Sequence, residues 1–312
     1  MTAFLIVLAS ALLHAAQAPA TCPPEARPPS PAQIEEGTKN ARDRGFLWRA
    51  SKDGRTSYLY GTVHVGKMDW MFPGPEALRA ARASDVIALE LDILDPDIVG
   101  RLQAGMAPRT DRALPEALRA RLRAQLKMAC LPEQLLDQTA PEMVATTLTV
   151  MAARTEGLDP AYAVDAVYAS MARALKKPVS SLETPELQLK LLLGGTEAET
   201  RASIESALEE LESGKASPML ARLARVWSDG RLAEMENYEA WCECLETEAD
   251  RLMMRRMLDE RNPGLAKSID AIHASGKSVF AAVGSLHMIG RLGLPALLAE
   301  RGYKVEHIDF KP

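Results

Sequence analysis

Hydrophobic and polar positions along the chain follow two periods. Over residues 46–64, FLWRASKDGRTSYLYGTVH, two β-type runs flank Asp53-Gly54, the pattern of a β-hairpin. PGPEALRAARAS (73–84), with proline near its start, predicts a helix. The apolar run DVIALELD (85–92) predicts a short buried strand. Strand, turn, helix and strand in that order form a βαβ unit, which implies parallel strands. From about 95 to 175 the apolar spacing changes to three and four, as in LPEALRARLRAQLKMA, APEMVATTLTVMAAR and DPAYAVDAVYASMARALKK, and predicts helices. KPVSSLET (177–184) reads as one more short strand. Residues 185–260 are helical again, broken at Gly194-Gly195, Ser213-Gly214 and Asp229-Gly230. A helix at 263–275, the strand KSVFAAVG (277–284), a helix over LPALLAERG and the strand YKVEHID close the chain.

These elements predict an α/β fold. Its central sheet is mixed, mainly parallel, and built from N- and C-terminal βαβ units with a large all-helical insertion between them. The insertion covers about 95–260, and 45–312 read as one domain.

One device occurs in both units. GTVH (61–64) and GSLH (284–287) each follow a strand-like run with glycine, a small hydroxyl residue, an aliphatic residue and histidine. The chain holds only five histidines, and two stand in this device. In an open parallel sheet, ligands bind beyond the carboxyl ends of the strands. Both turns leave strands at that edge, where Gly61 and Gly284 let another group approach the backbone closely. His64 and His287 are then expected to face one crevice. A single histidine after a strand is ordinarily a hydrogen-bonded loop residue, and only the duplication argues for a functional pair.

The third ingredient is Glu90 in ALELD, where alternation places Glu90 and Asp92 on one face and Leu89 and Leu91 on the other. An acidic side chain at the end of a buried strand is costly unless paired, hydrogen-bonded or metal-bound. Two neutral imidazoles and a carboxylate hold a divalent ion with a position open for water. Such an ion lowers the water's pKa and polarises a carbonyl, the requirements of hydrolysis. Zinc–nitrogen bonds are near 2 Å, so imidazoles more than ~8 Å apart cannot share one ion. The bland alternatives are a salt bridge from Glu90 to an arginine and a helix cap from Asp92 near Pro96. His273 reads as structural or exposed, and His307 as half-buried filler.

Lys and Arg total 37 against 42 acidic residues, a net charge of −5, with no basic block for nucleic acid or an anionic membrane. Phe4–Leu13 has the length of a signal-peptide core, and Ala18-Pro19-Ala20 supplies small residues for cleavage, although no Lys or Arg precedes the core. Residues 1–20 are thus expected to be a signal peptide and 21–44 a Pro-rich, extended, solvated linker. The mature chain is expected to be periplasmic or secreted, with no stable membrane anchor. Export makes disulfides plausible among Cys22, Cys130, Cys242 and Cys244. A bond between Cys242 and Cys244, expected on a helix with one residue between them, would be strained. Each is expected to pair with Cys130 or Cys22 instead.

The two GxxH motifs, Glu90, KPVSSLETPELQL (177–189) and ERNPGLAKSI (260–269) together resemble the TraB/GumN family over residues 45–310. That family is similar to the Tiki metalloproteases and belongs with the erythromycin-esterase/ChaN-like fold group. The resemblance implies an α/β core with a helical insertion and a metal-dependent hydrolase site lined by His64, Glu90 and His287. Glu183 and Gln188 match its "LEt…Q" element, Asp165 its preceding aspartate, and Arg261 and Asn262 its "RN" pair. Arg261 can neutralise a site carboxylate or bind a substrate carboxylate. GSLH departs from the commoner GAGH-like form, so Leu286 narrows the space beside His287.

The leading expectation is an exported hydrolase using a divalent ion (Mn, Co or Zn) on His64, Glu90 and His287, acting on a peptide or protein substrate. Glu90 or Glu183 would be the base, and Gly61, Gly284, Asp165, Gln188, Arg261 and Asn262 would contact substrate. The alternatives are a non-catalytic peptide- or haem-binding protein using the same crevice, and a metal-independent esterase with His64 as base. The substrate, the oligomeric state and the disulfide pairing are not legible in the sequence.

Overall fold

The computed structural model describes residues 22–109 and 114–310; the signal peptide expected at 1–20 lies outside them. The chain runs through α1 (Pro31–Lys39), β1 (Phe46–Lys52), β2 (Arg55–Thr62), α2 (Pro75–Ala83), β3 (Val86–Leu89) and α3 (Pro96–Gly105). There follow α4 (Glu116–Met128), α5 (Leu135–Gln138), α6 (Pro141–Met151), α7 (Val164–Ala174), β4 (Val179–Ser181) and α8 (Pro185–Leu192). Then come α9 (Glu197–Glu212), α10 (Ala216–Ser228), α11 (Leu232–Glu236) and α12 (Glu248–Met257). The chain ends with α13 (Asn262–Ala274), β5 (Val279–Gly284), α14 (Leu294–Glu300) and β6 (Lys304–Ile308).

The strands form one sheet in the order β4-β3-β5-β2-β1-β6. β2 pairs parallel with β5, β5 with β3 and β3 with β4, while β1 runs antiparallel to both β2 and β6. The fold is the expected α/β class with a mixed, mainly parallel sheet. β5 and β3 are buried along their whole length, as apolar strands covered on both faces must be. The β1–β2 hairpin turns on Asp53 (φ 52°) and Gly54 (φ 73°), the left-handed pair that matches strand twist.

α7 packs on the sheet through Tyr168, whose ring stands 4.9 Å from Phe280 and 5.1 Å from Tyr60. α4, α6 and α9 bury a second apolar cluster among themselves, with Leu122, Leu148 and Ile204 at its centre. The insertion is mostly helical but returns to the sheet once, at β4 on its edge. His273 is buried, its Nδ1 2.8 Å from Ser57 Oγ and its Nε2 3.1 Å from Lys52 O, a structural role. His307 is half-buried, edge-on to Trp48.

Three expectations are corrected. From Cys22 onward the Pro-rich segment is not an extended, solvated linker. Arg154 Nη2 donates to the carbonyls of Pro23 and Pro24, Tyr162 bonds the Arg27 backbone twice, and Ser30 caps α1. Prolines free of helical bonds leave carbonyls available for such partners. Cys22 pairs with Cys130 and Cys242 with Cys244, so neither member of the CxC pair reaches Cys22 or Cys130 as expected. The CxC segment is a turn rather than a helix, and Glu243 at φ 50° folds it back so that the two Cα atoms stand 5.1 Å apart. Finally, the strand ends at Leu89, so alternation stops before Glu90. Asp92 is buried against Arg173 at 2.9 Å, and Asp95 is the residue that caps α3.

Among the described residues no helix is long and apolar enough to cross a membrane.

Candidate active site

β2 and β5 are parallel neighbours with Thr62 opposite Gly284, so both GxxH turns leave the same sheet edge side by side. The turns brace one another, Ser285 Oγ donating to Thr62 O at 2.8 Å. Gly61 allows this approach: a Cβ there would stand 2.9 Å from Ser285 Oγ and 3.2 Å from its Cα. Trp227 Nε1 donates to Gly61 O at 2.7 Å and ties α10 to the same strand end.

Gly284 makes room for the charged cluster. A Cβ built on it would lie 3.2 Å from Glu90 Oε1 and 3.6 Å from both His64 Nε2 and His287 Cδ2. The two rings therefore approach within twice that distance, so they are not separated by the ~8 Å or more that would forbid a shared ion. Glu90 leaves β3, the strand on the other side of β5, and its Oε1 accepts from Gly284 N–H at 2.8 Å.

Each histidine is oriented through Nδ1. Asn262 Nδ2 donates to Leu292 O at 2.8 Å, which turns Oδ1 toward His287 Nδ1, 2.6 Å away. His287 thus carries its proton on Nδ1 and presents the Nε2 lone pair to the site. His64 Nδ1 faces Asp165 Oδ1 on the first turn of α7 at 3.3 Å. Hydrogen bonds of this kind fix the tautomer and ring orientation of metal-bound histidines.

Arg261, just before α13, joins the parts. Nε and Nη2 donate to Glu183 Oε1 and Oε2 at 3.0 and 2.6 Å, and Nη2 also reaches Glu90 Oε2 at 2.5 Å. Nη1 donates to Met257 O at 3.0 Å and to His287 Nε2 at 3.1 Å. All five guanidinium N–H groups are thereby used. Gln188 Nε2 donates to Glu183 Oε2 at 3.2 Å and to Glu90 Oε2 at 3.5 Å.

Burial works to raise the Glu90 pKa, but His287, His64 and Arg261 and the Gly284 N–H outweigh it and hold the carboxyl below its usual range. Burial pushes His287 down to about 4 against the pull of Glu90, so this ring is neutral at pH 7. Asp165 raises the pKa of His64 to about 9, and the ring is 61% exposed to cleft water.

Two cavities meet at this cluster and share His64, Glu90, Met257 and Arg261. The smaller, of about 340 Å³, extends toward Gln188 and α8; the larger, of about 470 Å³, lies between α10 and α12. His64, Glu90, Asp165, Gln188 and Arg261 border the smaller one, and Gly284 and His287 border the larger.

Several residues differ from their expected roles. Glu183 has a side chain only 2% exposed and both oxygens on Arg261, so as arranged it is not a base reachable by water. Arg261 and Asn262 are buried with their polar groups engaged on neighbouring side chains and carbonyls, although Arg261 also borders both cavities. Gly61 is covered by Ser285 and Trp227 and likewise serves packing. No sequence signal marks Trp227 or the Met257 carbonyl, because their roles depend on how α10 and α12 dock.

Among the described residues no group of three or more His, Cys, Asp or Glu is arranged to hold a metal ion; Arg261 stands among the donors. The donor chemistry nonetheless suits one. Three carboxyl groups, those of Glu90, Glu183 and Asp165, and two imidazoles stand around the single guanidinium of Arg261, an oxygen- and nitrogen-rich set of the kind that divalent cations take.

Comparison with known proteins bears on this arrangement. Metalloprotease TIKI1 of Danio rerio is 23% identical over 90% of this chain and 66% of its own length. Metalloprotease TIKI1 of Xenopus tropicalis is 29% identical over 41% of this chain and 23% of its own length. The chain thus spans less than two thirds of either relative. No solved structure matches it significantly. A family model described as the TraB/PrgY/gumN family matches residues 46–307, from the first strand of the sheet to the last and through every member of the cluster. By that match, the chain belongs to the TraB/PrgY/gumN family.

Proposed function

We propose that this protein is an exported hydrolase of peptide bonds, with its site in the cleft at the carboxyl edge of the sheet. A divalent cation (Mn, Co or Zn) held by His64, Glu90 and His287 would be its cofactor. The observation that carries the reading is the convergence of the His64 and His287 rings and the ionised Glu90 carboxylate around Gly284, where two cavities meet. The distant similarity to proteins named as metalloproteases supports the reaction class. The bound ion would supply an acidified water and a polarised carbonyl.

The chain's own residues have separable tasks. Asn262 and Asp165 retain the Nδ1 protons and aim the opposite nitrogens inward. Arg261 bridges Glu90 and Glu183 and helps keep Glu90 ionised. His64 is the cluster's most water-exposed imidazole, so its Nε2 is where a bound ion would meet cleft water. Any metal on His287, a haem iron included, requires Arg261 Nη1 to release Nε2, because both ring nitrogens are engaged inside the protein.

Metal analysis of the purified protein with and without chelator, followed by turnover of a peptide library, tests this reading. Cleavage that is lost on chelation and in His64→Ala is expected. Absence of both bound divalent ion and cleavage, with wild type and His64→Ala indistinguishable, overturns it.

A further inference from the structure

The larger cavity is bounded by helix faces that the fold leaves incompletely covered. α10 contributes Met219, Leu220 and Leu223, and α12 contributes Met253, Met254 and Met257. All six are only half-buried. None of the described residues of α12 is buried, although the helix carries Leu252 and three methionines. α10 buries Ala221, Ala224, Val226 and Trp227 in the core, while Leu220 and Leu223 pack only partly against it and border the cavity as well. An amphipathic helix ordinarily covers its apolar face by packing it on the core. Here two such faces meet across about 470 Å³ of space, and the same cavity is bordered by His64, Glu90 and His287.

We propose that this chamber is the subsite for a large apolar side chain of the substrate, next to the bond presented to the cluster. The assignment rests on the peptide-hydrolase reading and adds to it the residue that the enzyme selects. Methionine is unbranched and polarizable, so its walls adapt to leucine, methionine or phenylalanine without demanding one shape. Glu210 and Asp250 are the other charged side chains lining the chamber, and Arg261 has no N–H to spare. An acidic side chain would therefore lose its hydration and meet like charge from Glu210 and Asp250. The smaller cavity on the other side of His64 and Glu90 leaves room for the chain to continue past the cluster.

The test is binding, read without turnover. Capped pentapeptides identical except for a central Leu, Met, Phe, Ala or Asp are titrated into the wild-type protein carrying ¹³C-methyl methionine. The Leu, Met and Phe peptides are expected to shift the methyl signals of Met253, Met254 and Met257 and to bind about tenfold or more tightly than the Ala peptide. The Asp peptide should bind most weakly. Met254→Trp, or Leu223→Trp should the first not fold, fills the chamber and should erase the preference while circular dichroism stays native. Equal binding of the Ala and Leu peptides, methyl shifts confined to other methionines, or a folded Trp variant that keeps the full preference overturns the assignment. Ordered binding without cleavage of any peptide keeps the subsite and rejects the hydrolase. Cleavage with no preference for the apolar residue does the reverse.

Discussion

Arg261 and Glu183 form a buried two-pronged ion pair, and the same guanidinium holds Glu90 at 2.5 Å and His287 Nε2 at 3.1 Å. One side chain thus links the ends of β3 and β4 to the second GxxH turn. Removing it strands the buried Glu183 and the half-buried Glu90 beside each other. Arg261→Met is expected to cost roughly 3–5 kcal/mol in urea unfolding. The double variant Arg261→Met/Glu183→Gln should recover part of that loss, because one unpaired charge goes with its partner. Additive losses would show that the pair is not coupled.

Asp165 acts on His64 through charge, since its carboxylate stabilises the imidazolium. Asp165→Asn should lower the His64 pKa, so that the ring loses its proton at lower pH than in wild type. NMR titration of the imidazole signals reads this directly. The ascending limb of any pH–rate profile that depends on neutral His64 should move in the same acidic direction. An unchanged titration would detach Asp165 from His64.

His287 gives the fold an acid limit. Its pKa falls from 6.5 to about 4 on folding, so the unfolded chain binds the extra proton between those values. This contribution to stability is complete above about pH 6.5 and is lost as pH falls toward about 4. It amounts to on the order of 3 kcal/mol. Urea midpoints measured across that window should drop, and His287→Gln, which cannot titrate, should show a shallower slope.

The two motif glycines should fail differently. A Cβ at Gly61 meets the Ser285 backbone, so Gly61→Ala is expected to destabilise by about 1–3 kcal/mol in chemical unfolding. At Gly284 the nearest atom is a carboxylate oxygen, which can shift. Gly284→Ala should therefore cost less stability while displacing Glu90 and reducing peptide turnover. Equal thermal stability of the two variants would contradict this division.

Cys22–Cys130 closes a loop with a sequence separation of 108 and fastens the proline-rich segment to the end of α4. Cys22→Ser is expected to cost about 2–5 kcal/mol, comparable to reducing the wild-type protein with dithiothreitol. Unfolding with and without reductant measures it. If the reductant lowers the stability of Cys22→Ser as much as that of wild type, the labile bridge is Cys242–Cys244 instead.

Local patterns were sufficient for much of the architecture. The Asp53-Gly54 hairpin, the helical periodicity of the insertion and the buried runs of β3 and β5 depend on neighbouring residues, so their signals lie in contiguous sequence. The repeated GxxH device likewise pointed to one sheet edge, because parallel strands that share a sheet release their chains on the same side. Alternation misplaced Asp92, since β3 ends at Leu89 and the strand period no longer applies beyond it. Proline content misjudged residues 22–44, because the partners of that segment, Cys130, Arg154 and Tyr162, lie more than a hundred residues away. The cluster was assembled by tertiary structure alone. Whether Arg261 faces substrate or holds Glu183, Glu90 and His287 depends on where β4, α12 and α13 dock, and no spacing along the chain records that. Sequence by itself determined which groups could do chemistry at the sheet edge. Only the packing of distant elements decided which of them are buried and saturated with hydrogen bonds, and which, like His64, are left open to the cleft.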